Sequence, residues 1–266
     1  MARNNYFILR VLSVFWASSI AIELEYRLNL FVEILSVLGN LLGSLFTLSL
    51  FFGPHQDLGG WNWPSSLIVI GIYTLLDGFT ITFLQPNLSR IIRHVQNGTL
   101  DFILLKPFDS QLWVSLRIFS PWGLPSFIVG FILISIGLIQ NSSIITLPVL
   151  LVSLFMLTSS LLILYSLWFL IATTSIWFVR VWNANEVLRS TLAAGRYPIS
   201  AYPDSLRRVF TFVLPIAFLT TVPAEALLNL ISVKTIMLSI ITSTTFVYFS
   251  RRFWNFALRY YTSASN

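Results

Sequence analysis

The chain has 266 residues, of which 56% are hydrophobic and only 10% charged, and its mean hydropathy is +0.81; soluble domains carry about 25% charged residues, so most of the length is read as membrane-embedded. The net charge is +6 and the pI about 9.9, which would suggest nucleic acid as the partner of a soluble protein, but here the basic residues sit in short segments between apolar runs and no nucleic-acid partner is needed. Cysteine is absent, which excludes disulfides, thiolate catalysis and Cys-ligated metals.

The N-terminal segment, residues 1–29, contains an apolar run from Val11 to Ile22 that follows Arg3 and Arg10. Its length suits a signal-peptide core, but cleavage would leave Arg27 outside. An interfacial helix leading into the first span preserves the charge pattern. That span runs from about Leu30 to Phe52, close to the 20 residues a bilayer needs. The next loop, 53–64, has no Lys or Arg and carries Trp61 and Trp63, so it reads as external. A second span covers about Ser65 to Leu84. Residues 85–117 hold Arg90, Arg93, Lys106 and Arg117 and read as internal. A third span, about Ile118 to Ile139, leads to the uncharged external loop Gln140 to Ser143.

The run from Ile144 to Val179 is 36 residues without a charge. As one helix it would be about 54 Å long, against a hydrocarbon core of about 30 Å. Two passes would need a turn, and no Gly, Pro, Asn or Asp follows Pro148 to make it. Two passes would also put Arg180, Arg189, Arg196, Arg207 and Arg208 outside. The reading is therefore one span to about Ile171 that continues as an interfacial or cytoplasmic helix, with 180–208 as an internal loop. The fifth span starts near Val209, is interrupted at Pro215 and closes at Pro223, leaving a short apolar piece, Ala224 to Ile231. The sixth runs from about Thr235 to Ser250, and Arg251, Arg252 and Arg259 keep the tail 251–266 inside. In this six-span, all-α arrangement 15 of the 16 Lys and Arg residues fall on one side and only Lys234 on the other. Short basic loops stay cytoplasmic during insertion, so both termini are expected in the cytoplasm and 1–266 forms one membrane domain.

Signs of catalysis are missing. The two histidines, His55 and His94, lie in loops on opposite sides, and no His/Asp/Glu group has metal-ligand spacing. The single Lys-Thr pair, Lys234-Thr235, lacks the preceding glycines of a phosphate-binding loop. The expectation is no catalytic residue, no metal and no cofactor on this chain.

Residues Pro86 to Gly98 read as a short helix with Asn87 as N-cap and Gly98 just past its end. Leu88, Ile91, Ile92 and Val95 follow the i, i+3, i+4, i+7 pattern of an apolar face; Arg90, Arg93, His94, Gln96 and Asn97 make the polar one. Such a helix either lies on lipid headgroups or docks into a partner. The segment that follows, Asn97-Gly98-Thr99-Leu100-Asp101-Phe102-Ile103-Leu104-Leu105-Lys106-Pro107-Phe108, resembles a signature of six-span type-2 ABC exporter permeases, the bacterial ABC-2 group that includes proposed viologen exporters. Lys106 and Phe108 stand where Arg and Leu are commoner in that group. Tyr26-Arg27, Tyr197-Pro198, Tyr202-Pro203 and the stretch from Arg251-Arg252-Phe253-Trp254 to Leu258-Arg259-Tyr260-Tyr261-Thr262-Ser263-Ala264 also match, so the resemblance covers nearly the whole chain.

The resemblance implies a permease of the bacterial inner membrane that docks on a cytoplasmic ABC ATPase dimer, where ATP and Mg would be bound. It makes Asn87 to Asn97 the coupling helix, with Leu88, Arg90, Ile91, Arg93, His94, Gln96, Asn97, Gly98, Asp101, Lys106 and Pro107 as coupling residues. It implies a re-entrant external piece beginning at the Pro215–Pro223 break. It also implies pairing with a second copy or a related permease, in contact with membrane lipids.

Asp77 is the one acid deep in a span. A charged Asp at the bilayer centre costs about 2.5–3.5 kcal/mol on insertion scales, so it should face protein or water. Tyr73, Asp77 and Thr80 share a helix face, which either bridges helices or lines a substrate path. Gly39 and Gly43 form a Gly-x-x-x-Gly pair, serving helix packing within the subunit or a dimer seam. The competing reading of the whole chain is a stand-alone secondary transporter or channel; that class tends to show several intramembrane ionisable groups and inverted repeats.

Overall fold

The computed structural model describes residues 13–21, 23, 25, 27–52, 57–178 and 182–262; Tyr26, His55, Arg180, Ser263 and Ala264 lie outside the described residues. Among the described residues the structure is helical apart from one isolated bridge between Leu58 and Trp61. The long helices are α1 (Arg27–Phe51), α2 (Trp63–Gln96), α5 (Leu124–Gln140), α6 (Leu147–Thr173) and α10 (Val233–Ala257). All five are long and apolar enough to cross a membrane. Two short helices, α3 (Leu100–Leu104) and α4 (Ser110–Leu116), join α2 to α5.

Local chemistry sets the helix ends. Asn62 caps α2 by accepting the Ser65 amide at 2.9 Å, and Pro64 follows in the first turn, where a missing N–H costs nothing. Asn62 also donates to Asn141 Oδ1 at 3.1 Å, and Asn141 to Ser65 Oγ at 2.8 Å. Residues 57–64 and 140–143 therefore share one end of the bundle, as the charge pattern requires. Ser232 caps α10 through the Thr235 amide.

The tightest packing in the bundle is a glycine seam. Gly71 and Gly78 on α2 face Gly123, in the 3-10 turn before α5, and Gly130 and Gly137 on α5, each set spaced by seven residues. A Cβ on Gly130 would stand 2.8 Å from the Gly71 carbonyl oxygen, and one on Gly137 would stand 2.6 Å from that of Pro64. Backbones this close leave no room for a side chain.

Helix α2 passes without a stop through the point where the second span was expected to end. A π turn, Thr80–Leu84, joins its two halves. Pro86 has no N–H to give the Thr82 carbonyl four residues back; the Ser120 amide donates there instead, at 3.0 Å. Asn87 is accordingly not an N-cap. Its buried side chain accepts from the Ile118 amide and donates to the Ile118 carbonyl, at 2.9 and 2.7 Å, pinning the entry to α5.

The segment 180–208 does not form the internal loop expected. After α6 and a 3-10 turn (Thr174–Ile176) the chain reverses into α7 (Trp182–Leu192), which climbs back along α2. Arg189 reaches Asp77, Arg196 lies over the Tyr73 ring one turn closer to the start of α2, and Ser200 packs on Gly59 in the loop before α2. Residues 182–201 therefore run along the bundle to its Trp63 end, with Leu188, Leu192 and Ile199 buried and Glu186, Val187 and Ser190 exposed. The arginines Arg189 and Arg196, read from sequence as loop residues, face Asp77 and Tyr73 of α2. Arg207, Arg208 and Lys234 lie at the Trp63 end.

The interruption expected at Pro215 is present, in a bent pair of helices that begins at Asp204 rather than Val209. Helix α8 (Asp204–Val213) is mostly exposed and ends at Leu214, which takes an extended conformation before Pro215. A 68° bend leads into the buried α9 (Ile216–Leu227). Pro223 sits inside the first turn of Thr221–Leu227 rather than closing a helix. Ser160, about 20 Å along α6, donates to the Phe218 carbonyl at 2.7 Å. α9 thus reaches mid-depth and returns to the end at which α10 begins. α6 and α10 then run side by side in the same direction, with Phe169 and Trp254 in ring contact at 5.3 Å.

Candidate functional site

Two regions gather the residues able to carry function. The first is a charged cleft at mid-bundle. Tyr73, Asp77 and Thr80 do share a face, and all three line one small cavity, about 30 Å³, with Leu164, Trp168 and Leu219. Asp77 is not alone: Arg189 Nη2 lies 3.5 Å from Asp77 Oδ1, with side chains 41% and 24% exposed respectively. Arg196 sits one helical turn closer to the Trp63 end, 5.1 Å from the Tyr73 ring, and donates to Asn40 Oδ1 and Ser44 Oγ at 3.3 Å each. Glu33 of α1 completes the group. It shares a second small cavity, about 30 Å³, with Asp77, Arg189 and Arg196. Asp77 therefore separates two cavities, one among α2, α6, α7 and α9, the other under α1.

Sequence reading missed Glu33, Arg189 and Arg196. One usable signal was present: Arg189 and Arg196 are seven residues apart, hence on one helix face, with Leu188, Leu192 and Ile199 as an apolar stripe beside it. Treating every arginine as a loop residue concealed it.

Gly39 and Gly43 meet nothing within 4 Å. Packing of that pair within the subunit is thus corrected. α1 is exposed along most of its length; Val37, Ser44 and Leu48 are its buried residues among those described.

The second region is the far end of the bundle. Leu88, Ile91 and Ile92 are buried against α4, α6 and the turn after α6, so they serve the core and not a docking face. That burial also overturns the headgroup reading of the apolar face. Arg90, Arg93, Gln96 and Asn97 are exposed; His94 is half-buried, with Nδ1 2.8 Å from Thr99 Oγ1. Gly98 closes the helix with φ +66°, the left-handed value expected past a helix end. Asp101 stands in the first turn of α3. Lys106 folds back over the Trp113 ring at 4.2 Å, which accounts for its charge locally, and Pro107 is exposed. The outward apolar side chains here are Phe102, 69% exposed, and Leu105, 82% exposed.

A hydrogen-bonded lattice ties this elbow to the spans. Arg251, at the end of α10, makes a two-pronged pair with Asp109, its Nη1 at 2.8 Å from Oδ1 and its Nη2 on Oδ2. Trp254 donates to Ser110 Oγ at 3.0 Å. Gln111 and Ser115 both reach the Tyr165 hydroxyl of α6, at 3.1 and 3.0 Å. Burial alone raises the Asp109 pKa, but the Arg251 hydrogen bonds and the Leu112 amide outweigh it and hold the carboxyl below its ordinary value. The N-terminal helical stretch 13–21 lies at the same end, where Trp16 donates to the Leu116 carbonyl at 2.9 Å. Among the described residues no group of three His, Asp or Glu could hold a metal ion.

A family model described as ABC-2 family transporter protein matches residues 38–265. No curated protein and no solved structure matches the chain.

Proposed function

Because the chain belongs to the ABC-2 family of transporter proteins, we propose that it is the permease subunit of an ATP-driven exporter of the bacterial inner membrane. It moves a hydrophobic or amphipathic substrate by alternating access, and a separate ATPase dimer binds ATP and Mg. The pairing is with a second permease, across α1 and its Gly39–Gly43 face, and both termini are cytoplasmic.

The observation that carries the docking reading is the exposure of Phe102 and Leu105. Helix α2 is 34 residues long, about 51 Å, against a hydrocarbon core of about 30 Å. With the Trp63 end at one interface, the elbow projects some 20 Å beyond the other, where acyl chains do not reach. Large apolar side chains left in water mark a protein interface. The elbow 97–109, with the exposed Arg90 and Arg93 beside it, therefore meets the ATPase. The Asp109–Arg251 and Tyr165 lattice then passes its displacement to α10 and α6. In this reading the docking element is the elbow, and the apolar residues of the preceding helix anchor it.

The experiment is reconstitution with a candidate ATPase in proteoliposomes. ATP hydrolysis should depend on this chain. Phe102→Ser with Leu105→Ser should weaken the complex while insertion survives. ATPase activity indifferent to the chain would favour the stand-alone transporter.

A further inference from the structure

Asp77 and Arg189 pair at a depth where a charge must meet protein or water, and a small cavity lies on either side of them. The one they share with Leu164 and Leu219 measures about 30 Å³. Two further polar groups line it, the Trp168 indole N–H and the Thr220 hydroxyl. These side chains are 3% and 1% exposed, and neither atom has a hydrogen-bond partner among the described residues. The cavity under α1 has the same size, and there the fully buried Ser126 hydroxyl and the Arg196 Nε are likewise without a partner. An internal water needs about 10–15 Å³ and two to four polar neighbours; both cavities supply them. A third and larger space, about 450 Å³, opens between the start of α1 and the Gln85 level of α2, and it shares Glu33, Ser36 and Arg189 with the cavity under α1. Gln85 is 22 residues from Trp63, about 33 Å along the helix, so this groove opens at the inner interface of the proposed topology. Towards the Trp63 end the way is closed by the buried cluster Leu48, Leu67, Ile70 and Leu133.

We propose that each small cavity binds a water molecule, and that with the groove they form a water file from the inner interface, past Asp77, to the middle of α9. The water beside α9 accepts from the Trp168 N–H and joins the Thr220 hydroxyl to the Asp77 carboxylate. The water under α1 joins the Ser126 hydroxyl to the same ion pair. Thr220 stands between the two helical pieces of α9, Ile216–Leu219 and Thr221–Leu227. The file therefore hydrates the ion pair without exposing it to lipid, and ties it to a buried segment that is broken at mid-depth. A bridging water bonds nearly as well as a direct contact and can follow a shift of α9 that would break one. Neither Gly39 nor Gly43 lines the groove or the cavities, so the file and the seam for a second permease use different parts of α1. The naming of the inner side rests on the topology proposed above; the file itself does not.

The lack of native cysteine makes silver-ion capture of single cysteines the test, on the full chain in proteoliposomes. Silver ion is close to water in size and reacts with thiols that water can reach. Asn62→Cys and Asn97→Cys mark the two sides and report the topology separately, so its failure is distinguishable. Thiols left free are counted by mass spectrometry after alkylation in denaturant. Ser36→Cys, Ser126→Cys and Thr220→Cys should be lost to alkylation when silver is added on the Asn97 side, and should survive silver on the Asn62 side. Leu67→Cys, in the closing cluster, should survive both. Ser126→Cys and Thr220→Cys that survive both treatments, or react equally from both sides, overturn the proposal. Thr220→Val, equal in shape, tests the water itself. With water bound it removes a partner and lowers the thermal unfolding midpoint. In a dry cavity it removes an unsatisfied buried hydroxyl and raises the midpoint, and a raised midpoint overturns the proposal.

Discussion

A carboxylate at the depth of Asp77 needs a partner, and Arg189 is that partner. Fully buried pairs cost about 3–5 kcal/mol to break and exposed ones contribute about 0–1 kcal/mol. With one side chain two-fifths and the other one-quarter exposed, Asp77→Asn should destabilise the chain by roughly 1–2 kcal/mol between those limits. Thermal unfolding in detergent measures this. The double variant Asp77→Asn/Arg189→Gln should recover part of the loss, because no unpaired guanidinium remains; additive losses would show that the pair is not coupled. Asp109 gives a pH dependence. Its folded pKa lies below its unfolded one, so its contribution is fully present above the ordinary carboxylate range and is lost as pH falls through the lowered value. The unfolding midpoints of wild type and Asp109→Asn should therefore differ at neutral pH and converge in acid. A gap that persists in acid would assign the role to shape and not charge.

At the scale of elements, glycine placement separates two helices that look alike in sequence. Gly39 and Gly43 on α1 stand clear of the rest of the chain, whereas Gly71 and Gly130 touch backbone to backbone. Gly130→Leu should abolish folded protein, since its Cβ alone would stand 2.8 Å from the Gly71 carbonyl and from Leu75. Gly43→Leu should leave the monomer folded, as judged by size-exclusion profile and yield. If a second permease packs on α1, the same variant should shift the assembly towards monomer. The Gly-x-x-x-Gly rule, read on one helix at a time, offered Gly39 and Gly43 for packing or for a dimer seam; within the subunit the close packing falls to Gly71 and Gly130 instead. The seven-residue spacing of Gly123, Gly130 and Gly137 was legible, but its meaning depends on Gly71 and Gly78 facing it.

For the whole molecule, the lack of native cysteine makes a labelling experiment direct. Single cysteines replacing Asn62 and Asn141 should label from outside, and one at Asn97 should not. Ser205 decides the topology of the middle of the chain. It follows the segment 182–201, which runs to the Trp63 end, where Ser200 packs on Gly59, so its cysteine should label together with that at Asn62. Labelling with Asn97 instead would restore the internal loop and rule out the run of 182–201 beside α2.

The sequence by itself determined that this is an all-helical membrane protein, because apolar runs of span length and the loops holding Asn62 and Asn141 follow from transfer energy and local capping alone; the permease reading came from its resemblance to the ABC-2 group. It also marked the elbow by the stretch Gly98 to Pro107, and Asp77 as an acid needing company. It could not supply the company. Counting arginines treats each as a loop residue in water, and the rule fails where a polar segment packs one face on the bundle, so that Arg189 meets Asp77 and Arg196 meets Tyr73, Asn40 and Ser44. Nor could periodicity tell whether Leu88, Ile91 and Ile92 face lipid, a partner or the bundle, since an apolar stripe fits all three. Only the tertiary structure decided these, because the energy of a buried charge or an apolar face depends on what the rest of the chain places against it.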